Sequence, residues 1–167
     1  MAVQNLNIGG VQSAFINYLK CLYKTGKYDI HVFSFSNGCL QAKIPSGVTV
    51  EFGGKALQLS ATPFGEIKKS GRAFDILFRV LITLLAKMIG TERFYRLCFK
   101  KQKEKYDIAV SYFTDVPAGV FNKGTNQYVA EYVQADKKVA YIHTDPILAG
   151  FDKNYCRKIY DPFDKIV

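Results

Sequence analysis

The stretch "NLNIGGVQSAFINYLKCLYKTGKYDIHVFSF", Asn5 to Phe35, sets two glycines ahead of an amphipathic segment and an apolar run behind it. Val11, Phe15, Tyr18, Leu19 and Leu22 recur at three- and four-residue steps. That spacing predicts a helix over 11–25 with one apolar stripe. Gly26 stands where helices stop, because glycine tolerates the left-handed conformation that ends them. Tyr28–Phe35, "YDIHVFSF", is β-branched and aromatic and reads as a short strand. Loop, helix and strand in that order form one unit of an alternating α/β chain.

The same alternation continues outward. "PSGVTVEFGG" gives a strand over Val48–Phe52, closed by glycines. Phe64 to Lys105 reads as helical, in two pieces hinged at Gly90. "YDIAVSYF" (Tyr106–Phe113) and "KKVAYIH" (Lys137–His143) read as further strands, with a short helix over 127–134 between them. A helix over Lys153–Tyr160 and a last strand from Lys165 complete the pattern. Strands alternating with helices predict an α/β fold, a Rossmann-like parallel sheet with helices on both faces. Only "MAVQNL" precedes the glycines and the last strand stops after Val167, so the expectation is a fragment of a larger protein.

The 167 residues suit one domain, and 49% hydrophobic against 22% charged content excludes a disordered chain. Cys21, Cys39, Cys98 and Cys156 lie far apart, without a CxxC pair and with only two histidines. That is neither a zinc pattern nor a disulfide framework, so buried free thiols in a reducing compartment are expected. The N-terminus lacks the charge-then-apolar pattern of a secretory signal, and the location expected is cytoplasmic. Of the net charge of +9, the segment 68–105 carries +8, with eleven Lys and Arg against Asp75, Glu92 and Glu104.

Gly9 and Gly10 either form a plain strand-to-helix turn or let a diphosphate reach the main chain at a helix N-terminus. They do not form GxGxxG or GxxxxGK[ST], which disfavours a nicotinamide enzyme or an NTPase. His143 ends an apolar strand, where ligands collect in open α/β sheets. Its imidazole could serve a ligand hydroxyl or a developing charge, or cap a loop. Asp145 either orients His143, binds an acceptor hydroxyl, or opens a turn as "DP". Thr114 and Asp115 follow another strand and either line the same cleft or, for Asp115, cap the next segment. His31, inside a strand, reads as structural.

The Asn5–Phe35 stretch resembles the opening of family-four glycosyltransferases of the GT-B fold. "EKYDIAVSYF" and "KKVAYIHTDP…YDPFDKIV" resemble later strands of the same N-terminal domain, especially in bacterial surface-polysaccharide enzymes. The resemblance implies retaining transfer of a sugar from a nucleotide-sugar donor to a glycan or lipid-linked acceptor, without an obligatory metal or other cofactor. It implies that 1–167 is the N-terminal, acceptor-side domain, inactive without a C-terminal nucleotide-sugar domain. It implies that Gly9 and Gly10 face the donor diphosphate and that His143 stands at the reacting centre. The rival expectation is a non-catalytic α/β domain that binds a ligand or a protein.

The basic segment 68–105 is also rich in Phe, Leu and Ile. Its longest charge-free stretch, Val80–Ala86, is too short for a membrane span. Two expectations follow: a peripheral helix on an anionic membrane surface, or a core-covering helix with a solvated basic face. Nucleic acid is not expected, because the aromatics sit at helical intervals among Leu and Ile, as core residues do.

Overall fold

Six strands form one all-parallel sheet in the order β3-β2-β1-β4-β5-β6, in a computed structural model that describes residues 1–167. The strands are β1 (Ala2–Asn5), β2 (His31–Ser36), β3 (Thr49–Phe52), β4 (Lys105–Ser111), β5 (Gln134–Ala140) and β6 (Lys165–Ile166). The helices are α1 (Gly10–Lys24), α2 (Lys55–Ala61), α3 (Phe64–Lys69), α4 (Ala73–Ile89), α5 (Thr91–Cys98), α6 (Thr125–Tyr132) and α7 (Lys153–Tyr160). A short 3-10 turn spans Cys39–Lys43. The α/β expectation holds, and "MAVQNL" supplies the strand at the centre of the sheet: Ala2 pairs with Phe33 of β2 and with Ser111 of β4.

Alternation along the strands separates two cores. Val3, Ile30, Val32 and Tyr112 face α1, where Phe15, Ile16 and Leu19 are buried, together with Leu40 from the 3-10 turn. Ala2, Phe35, Ala109 and Ala140 face the other way, onto α2, α4, α5, α6 and α7. That second core is strongly aromatic. Phe35 lies within 5.3–6.3 Å of the rings of Phe33, Tyr95, Phe99 and Tyr128.

Several boundaries differ from the sequence reading. The helical stretch from Phe64 breaks twice, since Gly71 (φ 68°) joins Gly90 (φ 87°) in a conformation that glycine adopts freely. It ends at Cys98, because Phe99 is extended and packs into the aromatic core. α2, unread in the sequence, follows the glycines that close β3 and buries Leu57 and Leu59. β5 runs over Gln134–Ala140 rather than to His143, since it pairs with β4 from Lys105↔Gln134 to Ser111↔Ala140. The thiols are less hidden than expected: Cys21 and Cys39 are exposed, Cys98 and Cys156 half-buried.

Candidate functional site

The strand order reverses between β1 and β4, with β2 and β3 to one side and β5 and β6 to the other. In open parallel sheets such a reversal leaves a crevice beyond the carboxyl ends of the two strands, because their connections depart in opposite directions. Two loops leave that rim. One follows β1 and carries Gly9; the other follows β4 and carries Thr114.

The β1 loop is braced from within. The Asn5 Oδ1 accepts from the Asn7 N–H at 3.2 Å and from the Gln12 side chain at 3.1 Å. The Leu6 carbonyl accepts from the Leu40 N–H at 2.9 Å. Gly38 passes so close that a Cβ there would lie 2.3 Å from the Leu6 carbonyl group. Gly9 is extended (φ −172°) and supplies no side-chain cap to α1, whose first turn also lacks an acidic residue. The amide dipoles at this end therefore stay uncompensated. A Cβ on Gly10 would meet nothing within 4 Å. The fold does not need glycine there, and the space above its backbone is open.

His143 is tied to the same rim by its backbone and its ring. Its N–H donates to the Thr114 Oγ1 at 2.6 Å. The ring lies 4.7 Å from the Tyr112 ring and 5.7 Å from that of Tyr141. Tyr112 in turn contacts Phe15 (5.2 Å) and Tyr18 (5.6 Å) of α1. One aromatic wall thus joins the first helix to the imidazole. Burial lowers the His143 pKa from its ordinary value, which keeps the ring neutral at pH 7. Its Nε2 is buried with no hydrogen-bond partner. The Tyr18 phenol is pushed up to about 12 by the Tyr141 hydroxyl beside it and by burial.

Gly9, Gly10, Thr114 and His143 therefore share the carboxyl rim, whereas the two aspartates are engaged elsewhere. The buried Asp115 carboxyl accepts from three backbone N–H groups at the start of α6: Gly124 (2.7 Å), Thr125 (3.1 Å) and Asn126 (3.2 Å). Burial, partly opposed by those donors, pushes its pKa up to about 7. Asp145 is exposed, and its Oδ1 accepts from Ile147 (2.8 Å) and Leu148 (3.2 Å) in a turn of its own. His31 sits at the start of β2, on the opposite rim, between Asp29 and Glu104.

Sequence reasoning missed Gln4, Asn5 and Gly38. Gln4, on the central strand β1, donates to the Phe121 carbonyl at 2.5 Å and so holds the loop that follows β4. Polar residues inside a four-residue strand were the available signal. A groove between α5, α6 and α7, lined by Arg96, Asp115, Lys123, Asn126, Tyr155 and Lys158, was equally invisible. Its charges come from three separate segments. Nowhere do three His, Cys, Asp or Glu side chains converge to hold a metal ion.

Sheet order, reversal point and helix placement define a Rossmann-like α/β domain. No protein-family model matches the chain, and comparison with curated proteins and with solved structures returns no match.

Proposed function

We propose that this chain is the N-terminal, acceptor-side domain of a cytoplasmic glycosyltransferase of the GT-B type, acting in surface-polysaccharide synthesis. The reaction is retaining transfer of a sugar from a nucleotide-sugar donor to a glycan or lipid-linked acceptor. One observation carries this reading: an uncapped helix N-terminus under Gly9 and Gly10 and a neutral, unpartnered imidazole at His143 share one rim through the Tyr112 wall.

The chemistry follows from those groups. The first-turn amides of α1 hold the donor diphosphate and stabilise charge that grows on it as the glycosidic bond to the sugar breaks. His143, neutral, exchanges a hydrogen bond with a sugar hydroxyl through Nδ1, since its Nε2 is buried, and leaves the amides to carry the phosphate charge. Thr114 fixes the His143 backbone and so aims the ring. Ile8, Ile147 and Leu148 project from rim loops into solvent, a surface that a second domain closing over the cleft would cover and dry.

A screen of sugar nucleotides and lipid-linked acceptors on the complete protein tests the reading. His143→Ala is expected to lower turnover by more than about tenfold, the loss of one positioned hydrogen bond in a dry site, without shifting the melting temperature appreciably. Unchanged turnover would remove His143 from the reaction. Absence of any nucleotide-sugar binding would leave the chain a ligand- or protein-binding domain.

A further inference from the structure

Two features lie away from the rim. The outward arc of α4 is apolar rather than basic, and Phe74, 70% exposed, is not the core residue its spacing implied. No helix of the chain is long and apolar enough to cross a membrane. The second feature is the groove between α5, α6 and α7, a cavity of about 430 Å³, a size that suits a small molecule. These helices cover the face of the sheet opposite α1 and the Tyr112 wall.

The charges of the groove are already engaged. Arg96 on α5 meets Glu131 on α6 at 3.2 Å, and Lys158 on α7 meets Glu92 on α5. The Lys123 ammonium donates to the Pro117 carbonyl at 2.9 Å, and Asp115 commits both oxygens to the start of α6. The polar groups left over are neutral and deep. Asn126 lines the groove, is 1% exposed, and has a hydrogen-bond partner for neither its Oδ1 nor its Nδ2. The Tyr155 hydroxyl, from α7, is buried and equally unpartnered. The buried Tyr160 hydroxyl stands beside the Asn126 amide, and neither completes a hydrogen bond. Burial raises the pKa of both phenols, so they stay protonated and can donate as well as accept.

Buried polar groups without partners are costly, so an amide and a phenol left open in one groove mark a place for a ligand's own polar atoms. The Asn126 amide sets a donor beside an acceptor. Two neighbouring hydroxyls match that pair, because each of them both donates and accepts. An ion finds no free counter-charge there, since every charged side chain that lines the groove is engaged. A flat nucleobase would need apolar faces, whereas most of this lining is polar, with Ala130 and Ile159 among its few aliphatic members. We propose that the groove binds an uncharged ring polyol, the chemical class of a neutral monosaccharide unit, with two adjacent hydroxyls on the Asn126 amide and another on the Tyr155 hydroxyl. This site is separate from the rim and independent of the transferase reading, since it needs no nucleotide and is read as binding rather than turnover.

Ligand-observed NMR on the complete protein tests it, with methyl α-glucoside, methyl α-galactoside and myo-inositol as probes. Millimolar binding without any nucleotide is expected. Tyr155→Phe removes only the unpartnered hydroxyl, so affinity should fall about fivefold while the melting temperature holds or rises. Asn126→Leu removes both amide contacts and should lower affinity by more than about tenfold; if that variant does not fold, Tyr155→Phe decides. His143→Ala should leave the affinity unchanged, which separates the groove from the rim. Absence of binding by all of these probes would overturn the proposal, as would unaltered affinity in Tyr155→Phe. Tighter binding of uridine or glucuronate than of the neutral rings would also overturn it, by assigning the groove to a base or an anion. Binding lost in His143→Ala but kept in Tyr155→Phe would place the polyol at the rim and end the assignment.

Discussion

Asp115 meets one of the two alternatives that its sequence left open, since its carboxyl caps the segment that follows. Its two oxygens serve three N–H groups that would otherwise start α6 unpaired in a buried place. Asp115→Asn replaces an acceptor with a donor facing those amides, an expected loss of about 2 kcal/mol in denaturant unfolding. The carboxyl also sets a pH dependence. Its folded pKa, about 7, stands above the unfolded value near 3.8. Between those values the folded state holds the proton more tightly, so this stabilisation is complete below the lower value and is lost as pH rises through about 7. Stability of the parent should decline from pH 5 to pH 7 by an amount that Asp115→Asn abolishes. A carboxyl resonance titrating near pH 4 would contradict this.

At the scale of elements, α1 offers a way to separate stability from binding. Gly10 begins the helix with open space above it, so Gly10→Asp fits without a clash. A carboxylate in the first turn compensates the helix dipole and should raise stability by about 0.5 kcal/mol. The same carboxylate would repel a donor diphosphate, and nucleotide-sugar affinity in the complete protein should fall by at least about tenfold. Stability and affinity rising together would place the diphosphate elsewhere. α6 illustrates the limit of local signals: it begins at Thr125, two residues before its sequence-based start, because Asp115 caps it from ten residues upstream. His143 shows the same limit, since pairing with β4 ends β5 at Ala140 and leaves the imidazole beyond the strand.

For the whole molecule, stability rests on the aromatic core between the sheet and the α2–α4–α5–α6 layer. Phe35 is fully buried and touches four other rings. Phe35→Ala should cost about 3–5 kcal/mol, a large share of a domain's total, with urea unfolding as the measure. Phe15 on the α1 side is buried as completely, so the two cores secure the sheet from both faces.

The sequence by itself determined the alternation of strands and helices, because apolar periodicity and glycine placement act over a few neighbouring residues. It also singled out Gly9, Gly10 and Thr114 beside a strand end or helix start, which are local events, but it set His143 on the strand rather than beyond it. Only the tertiary structure decided that Tyr112 and Tyr141 bring His143 toward the first helix, that Asp115 is spent on α6, and that α4 presents leucines to solvent. A helical stripe states which residues share a face, but its packing partners decide whether that face is inside. For α4 the neighbours claim the side of Asp75, Ile82 and Ala86 and leave the rest uncovered.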